Sequence, residues 1–98
     1  MNAMTRAEFE ADVQREGYEI SEGEIGPNVH REPHSHGFDA RLFVLSGSIT
    51  LAFDEDRVTY EAGDTCSVPA GTRHAEHTDA GGVRYVFGRR RAPEAAAR

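Results

Sequence analysis

Two histidines, His34 and His36, stand one residue apart at the start of the segment HSHGFDARLFVLSG, residues 34–47. On an extended strand, residues i and i+2 point to the same side and lie roughly 6.6 Å apart along the chain. Two imidazoles at that spacing can converge on one metal ion, which binds nitrogen at about 2.0–2.1 Å when the ion is zinc. Because two ligands make a weak site, a third is expected from a strand that is distant in sequence.

A second segment, GDTCSVPAGTRH at residues 63–74, ends in another histidine, His74. The Gly-Asp pair at its start and the Pro-Ala-Gly triplet at residues 69–71 are turn signals. Glycine and proline at these points allow a tight reversal of the chain. The reversal brings His74 back towards an earlier strand, where it can meet the other two imidazoles.

Together the two segments resemble the two sequence motifs of the cupin family. The first motif contains a glycine, the pair H-x-H and a later glycine, which correspond here to Gly26, His34, His36 and Gly47. The second contains a glycine, P-x-G and a histidine, which correspond to Gly63, Pro69, Gly71 and His74. The resemblance covers residues 26–78, a little over half of the chain, and the paired match is more specific than either motif alone.

The resemblance implies an all-β fold, the cupin double-stranded β-helix or jelly-roll barrel. It also implies a divalent transition metal inside the barrel, held by His34, His36 and His74. Iron, nickel, zinc and manganese are all compatible with such ligands. The family's asparagine, four residues beyond the last histidine, is Thr78 in this chain.

The first motif departs from the family pattern at its glutamate, because Ala40 stands there and cannot bind a metal. Three replacements stay open: the carboxylate of Asp39, the imidazole of His30, or a water molecule. Asp39 is the closest carboxylate in sequence, but strand alternation turns it away from the barrel interior. His30 shares the parity of His34, although Pro33 lies between them and can break the strand register.

Further polar residues near the second motif are candidates for the pocket. Glu76 shares the strand face of His74 and can point inward, whereas His77 has the opposite parity and is predicted at the surface. A general base, if the protein has one, is expected to be His30, Glu76 or Tyr60.

Three other reactive side chains have simple structural interpretations. Arg41 is expected on the outer face of its strand; the alternative is a guanidinium that grips a substrate carboxylate at the barrel mouth. Cys66 is the only cysteine and is expected to be a small buried hydrophobe, with a thiol in the pocket as the alternative. Tyr60 and Tyr85 are predicted to be core residues.

The first 17 residues are predicted to form a short helix. Thr5 followed by Glu8 fits a capping box, in which each side chain satisfies a free backbone N–H at the start of the helix. Phe9 and Val13, four positions apart, form the apolar stripe of this helix, and Gly17 marks its end.

Beyond the helix, apolar residues alternate with polar ones in the segments 49–53, 58–63 and 83–87. Short strands that are separated by turn signals every eight to twelve residues are typical of an all-β sandwich or barrel. We therefore predict a single barrel domain over residues 18–91 and a flexible tail over residues 92–98.

The segment LFVL at residues 42–45 is apolar on both faces of its predicted strand. One face looks into the barrel, so the other face, with Phe43 and Leu45, needs a cover as well. A second sheet layer or a partner subunit would supply it, which makes a homodimer the expected assembly.

Composition excludes several classes of protein. The net charge of −6 argues against general nucleic-acid binding, and the run Arg89-Arg90-Arg91 is interpreted as a solvated terminus. The chain has no lysine, which rules out Schiff-base chemistry and a Walker-type phosphate loop within it. No segment reads as a secretory signal or a membrane span, so we expect a cytoplasmic protein. Heavy use of arginine and alanine suggests a bacterial source.

Three functions are consistent with these features. The first is a metal-dependent cupin that acts on a small molecule, in which the metal polarises a substrate oxygen or activates dioxygen. The second is a binding or sensory module that holds a small ligand, with or without metal. The third is a metal-free barrel whose histidines are structural or exchange protons.

Overall fold

A computed structural model describes residues 4–91 of the chain. The tail predicted for residues 92–98 lies outside the described residues. The described part contains one helix and seven strands, which are, in order, α1 (Arg6–Arg15), β1 (Glu19–Ile25), β2 (His30–His34), β3 (Phe38–Phe53), β4 (Asp56–Glu61), β5 (Thr65–Val68), β6 (His74–His77) and β7 (Val83–Arg91). Within these residues, no helix has the length and apolar character needed to cross a membrane.

The long strand β3 connects two antiparallel sheets. Its first part pairs with β5 and β7, and β7 in turn pairs with β1. Its last part pairs with β4 and β6, and β6 pairs with β2. The strand changes sheet near Gly47, whose φ of +74° suits glycine and where a side chain would collide with the carbonyl oxygen of Gly82.

Apolar side chains from both sheets form one core. Alternate residues of the strands point into it, as the sequence pattern predicts. The most deeply buried members include Val44, Ile49, Leu51 and Val83, which are at most 3% exposed. The predicted all-β jelly roll with a short N-terminal helix is therefore confirmed.

The residues that cap helix α1, Thr5 and Gly17, are those that the sequence indicated. Thr5 and Glu8 form the capping box, with Glu8 N–H donating to Thr5 Oγ1 at 3.1 Å and Thr5 N–H donating to Glu8 Oε1 at 2.9 Å. Gly17, at a φ of +89°, follows the last turn. Its N–H donates to the carbonyl of Gln14, and the N–H of Tyr18 donates to that of Val13, which is the Schellman pattern.

The apolar stripe of α1 covers the outer face of β3. Phe9 and Val13 are fully buried, and the ring of Phe9 lies 5.6 Å from that of Phe43 between ring centres. Leu45 packs against the same cluster. The expectation that a second sheet or a partner subunit covers this face is therefore wrong, because helix α1 of the same chain covers it. The homodimer stays a prediction, without support from this face.

Candidate functional site

Strands β2 and β6 bring the three histidines of the two motifs together. His34 ends β2, His74 begins β6, and the two residues are direct partners in the antiparallel pair. His36 follows in the connection to β3. The ring centres lie 4.6 Å apart for His34 and His74, 4.8 Å for His34 and His36, and 5.3 Å for His36 and His74. Residues 38 positions apart in sequence therefore share one site.

A carboxylate, that of Glu76, completes this cluster. Its Oε2 lies 3.2 Å from Nε2 of His74 and 3.5 Å from Nε2 of His34. Each of the four residues offers one ligand atom, and these atoms lie within 4.8 Å of one another. Two nitrogens that bind one metal ion at about 2.1 Å can be at most about 4.2 Å apart, so small side-chain shifts are enough to bind an ion.

Backbone carbonyl groups fix the orientation of two of the imidazoles. Nδ1 of His34 lies 2.7 Å from the carbonyl oxygen of Glu32, and Nδ1 of His74 lies 2.9 Å from that of Thr72. A carbonyl oxygen only accepts hydrogen bonds, so each Nδ1 carries a hydrogen and each neutral ring presents an unprotonated Nε2. Histidines that bind a metal through one ring nitrogen normally donate a hydrogen bond from the other ring nitrogen in this way.

When His74 is neutral and Glu76 is ionised, the contact between them joins two hydrogen-bond acceptors. The Nε2 lone pair of a neutral His74 and the Oε2 of an ionised Glu76 repel each other at 3.2 Å unless a positive charge lies between them. Both groups are largely buried, with side-chain exposures of 2% and 15%, so water screens them little. A shared proton or a metal ion resolves the conflict, and the donor set of the site fits a metal ion.

The third imidazole, that of His36, is held in its neutral form by its surroundings. Burial lowers the pKa of His36 below the ordinary value of 6.5, and the charges that His34 and His74 can carry lower it further. The ring stacks on Phe38, with 4.7 Å between ring centres. Since metal ions bind the neutral imidazole, these contacts favour the ligating form.

The other candidates for the fourth ligand lie elsewhere. His30 pairs with His77 in the β2–β6 ladder, on the strand faces opposite to the cluster. The carboxylate of Asp39 accepts a hydrogen bond from the N–H of Ala70 at 2.9 Å and pairs with Arg90 at 3.0 Å. The hydrogen bond from the Ala70 N–H lowers the pKa of Asp39 below its ordinary value, and the hydrogen bond from Arg90 has the next largest effect in the same direction. Asp39 thus has a structural role outside the cluster.

A β-bulge in β2 explains why His30 points away from the site. Between Arg31 and His34 the register against β6 shifts: the chain advances three residues on β2 and two on β6, from Glu76 to His74. Pro33, which has no N–H for the ladder, lies in this interval. The bulge reverses the parity, so Arg31 and His34 both face inward although they are three positions apart.

The cluster opens into a cavity of about 150 Å³ between the two sheets. Most of its wall is apolar, formed among others by Ile25, Phe38, Ala40, Leu42, Ile49, Leu51, Val68 and Phe87. The polar groups that line it are Arg31, His36, His74, Glu76 and Tyr85. Burial raises the pKa of Tyr85, so its hydroxyl is a hydrogen-bond donor at neutral pH.

Two reactive side chains from the sequence analysis lie outside this cavity wall. Cys66 is buried in the core, and burial raises its pKa to about 12, so the thiol is a packing group. Arg41 is on the outer face, where its guanidinium contacts the ring of Phe9 at 5.7 Å and Glu16 at 3.2 Å. The expected positions of both residues are confirmed.

Thr78, at the asparagine position of the family motif, ties two loops together. Its hydroxyl donates to the carbonyl of Gly26 at 2.6 Å and accepts from the N–H of Val29 at 3.1 Å. These contacts use the only donor hydrogen of the hydroxyl and tie it to the Gly26 and Val29 backbone, so Thr78 supports the barrel end and is not part of the cluster.

Comparison with known proteins agrees with the fold. Residues 18–86 match the family model described as the cupin domain. The chain belongs to the cupin family. No curated protein sequence shows significant similarity to it.

Solved structures show the same fold. A structural-genomics protein of unknown function from Rhizobium leguminosarum aligns with a TM-score of 0.72 and 18% identity, over 94% of this chain and 98% of that protein. A cupin-2 domain protein from Shewanella frigidimarina aligns with a TM-score of 0.65 and 20% identity, over 76% of this chain and 71% of that one.

Among the similar structures with a named activity is the polyketide cyclase RemF from Streptomyces resistomycificus. It aligns with a TM-score of 0.66 and 25% identity. The alignment covers 82% of this chain but only 62% of the cyclase. The likeness extends to the barrel, and the substrate of this chain has to be argued from its own residues.

Proposed function

We propose that this cupin binds one divalent transition metal ion through His34, His36, His74 and Glu76, and uses it to bind or convert a small molecule in the adjoining cavity. The observation that carries this proposal is the convergence of these four residues, each of which offers one ligand atom within 4.8 Å of the others. The backbone carbonyl of Thr72 holds a hydrogen on Nδ1 of His74. Nε2 of His74 therefore faces Oε2 of Glu76, and a cation can bind to both atoms.

The donor set suits a borderline transition metal. Three neutral imidazoles and one carboxylate are ligands for zinc, iron, nickel or manganese. Such an ion, when bound, polarises an oxygen atom of a substrate as a Lewis acid. The chain's own contribution is orientation, since the carbonyls of Glu32 and Thr72 fix two of the imidazole rings.

The cavity limits the size and character of the ligand. A volume of about 150 Å³ suits a molecule with roughly six carbon atoms, the size of a benzene ring. The apolar wall excludes water from the body of such a molecule, while the polar groups at the cluster hold one end of it.

A binding or sensory role without chemistry is the second candidate. Among the described residues that line the cavity, the titratable groups outside the cluster are Arg31 and Tyr85. Arginine stays protonated, and burial raises the pKa of Tyr85, so neither group takes up a proton near neutral pH. The shortage of a general base favours binding over a reaction that needs proton abstraction.

Metal analysis tests the proposal. We expect the purified protein, after reconstitution, to hold about one ion per chain by plasma mass spectrometry, and a His34→Ala/His74→Ala double variant to hold none. His77→Ala is the matched control, because His77 lies on the same strand as His74 but faces away. A wild-type chain that stays metal-free, or a double variant that retains the metal, contradicts the proposal. Turnover of a substrate panel by the loaded protein then separates an enzyme from a binding module.

A further inference from the structure

Arg31 is the only permanently cationic residue among the described residues that line the cavity. It faces Glu76 across the β2–β6 pair, where the two residues are direct partners. Its Nη1 lies 3.4 Å from Oε1 of Glu76, while the other oxygen of this carboxylate faces the histidines. The guanidinium is therefore next to the metal cluster, on the cavity side of the sheet.

Most of the hydrogen-bonding capacity of Arg31 is available to a ligand. A guanidinium has five N–H donors in a planar fork, and the contact to Glu76 is long and uses one of them. The side chain is 51% exposed, compared with 15% for Glu76, which puts its end at the mouth of the cavity. A guanidinium in this position can bind a carboxylate through two parallel hydrogen bonds.

The charges of the site also favour an anion. The three imidazoles are neutral, and Glu76 carries one negative charge. A divalent ion and Arg31 together carry more positive charge than Glu76 neutralises, so the net charge of the loaded site is positive. The charge of the ion lies beside an apolar cavity, where it is weakly screened, whereas water screens the half-exposed guanidinium of Arg31 more strongly. A ligand with an apolar body and one negative end matches both features.

We infer that Arg31 selects a small monocarboxylate for the cavity, with its carboxylate at the mouth and its apolar body between the two sheets. The inference rests on the proposed function, since the metal supplies part of the positive charge. Sequence alternation alone does not reveal it, because the bulge before His34 is what turns Arg31 inward.

Ligand binding by the zinc-loaded protein tests the inference. Butyrate and benzoate are suitable probes, and butyramide and benzamide are neutral controls of nearly the same shape. We expect NMR titrations of the wild-type protein to show each acid binding at least about fivefold more tightly than its amide. In Arg31→Met this preference should disappear. Arg84→Met is the matched control, since Arg84 is similarly exposed, at 57%, but pairs with Glu22 and Glu24 on β1.

Three results contradict the inference. The first is an acid-over-amide preference that survives in Arg31→Met, which assigns the preference to the metal. The second is equal weakening of acid and amide, which makes Arg31 only a positioning residue for Glu76. The third is no binding of either acid to the loaded protein.

Metal content, measured on the same samples, keeps the two proposals separate. A loaded protein without acid preference contradicts the role of Arg31 and leaves the metal site standing. A wild-type protein that binds no metal contradicts the proposed function, and the acid-to-amide ratio of the metal-free protein then still decides whether Arg31 selects an anion.

Discussion

Ala40 on β3 and Glu76 on β6 line the same cavity, and of these two residues only Glu76 carries a carboxylate into it. The first cupin motif has its glutamate at the position of Ala40, so this chain offers the carboxylate from a different strand. The group of three imidazoles and one carboxylate is preserved although the motif is broken. The exchange is possible because the two residues face the cavity from opposite sheets: Ala40 pairs with β5 and β7, whereas Glu76 pairs with β2 and the last part of β3.

Glu76→Gln should weaken metal binding while the fold persists. Glutamine has the shape of glutamate but lacks the negative charge, so we expect the affinity for zinc to fall at least about tenfold in a competition titration with a chromophoric chelator. Glu55→Gln, in the turn after β3, removes the same charge far from the site and should leave the affinity unchanged. Equal affinities for the wild type and Glu76→Gln would mean that Glu76 is not a ligand.

Ala40→Glu should rescue Glu76→Gln. The double variant returns the carboxylate to its usual place in the first motif, and the small side chain of Ala40, which lines the cavity, leaves room for it. We expect the zinc affinity of the double variant to exceed that of Glu76→Gln in the same titration. No recovery, in a variant with an unchanged circular dichroism spectrum, would show that the two positions are not equivalent.

Asp39→Asn should lower the melting temperature without a loss of metal. The carboxylate joins β3 to Arg90 on β7 and to the backbone of Ala70 after β5, so its charge stabilises the contact of three segments. Asp56→Asn, at an exposed position without these partners, serves as the control in thermal unfolding. Loss of bound metal in Asp39→Asn alone would instead make Asp39 a ligand.

The metal-free protein should lose stability as the pH falls below about 6.5. Because the pKa of His36 is lowered in the folded state, chiefly by burial, the unfolded chain binds more protons between the two pKa values of this group. Stability therefore rises with pH through that window and falls on acidification. Urea unfolding of chelator-treated protein between pH 5 and 8 should show this slope, and His36→Gln should flatten it. Equal slopes for the two proteins would refute this assignment.

Phe9→Ala should destabilise the protein by about 3–5 kcal/mol, the usual cost of removing a fully buried phenylalanine. Phe9 is 0% exposed and covers Phe43, so the variant leaves a void between helix and sheet. Urea unfolding measures the change, with the exposed helix residue Gln14 changed to alanine as a control within about 0.5 kcal/mol of the wild type. A small effect of Phe9→Ala would mean that something other than α1 covers this face.

Local patterns in the sequence were sufficient for much of this structure. The capping box at Thr5, the glycine that ends α1 and the alternation in β3 depend on neighbouring residues, so they can be read directly. Two spaced motifs then predict that His74 lies near His34 and His36. The same alternation put Glu76 on the face of His74, which is the signal that could have identified it as the carboxylate of the cluster.

Other features depended on contacts between distant segments. The bulge around Pro33 sent His30 outward and Arg31 inward, because an extra residue in one strand reverses its parity. The docking of α1 decided what covers Phe43, since the outer face of β3 accepts any apolar partner of suitable shape. Thus the sequence by itself determined the elements and the three imidazoles, whereas only the tertiary structure decided the carboxylate beside them and the guanidinium at the cavity mouth. The physical reason is that alternation is local, while strand register and packing are not.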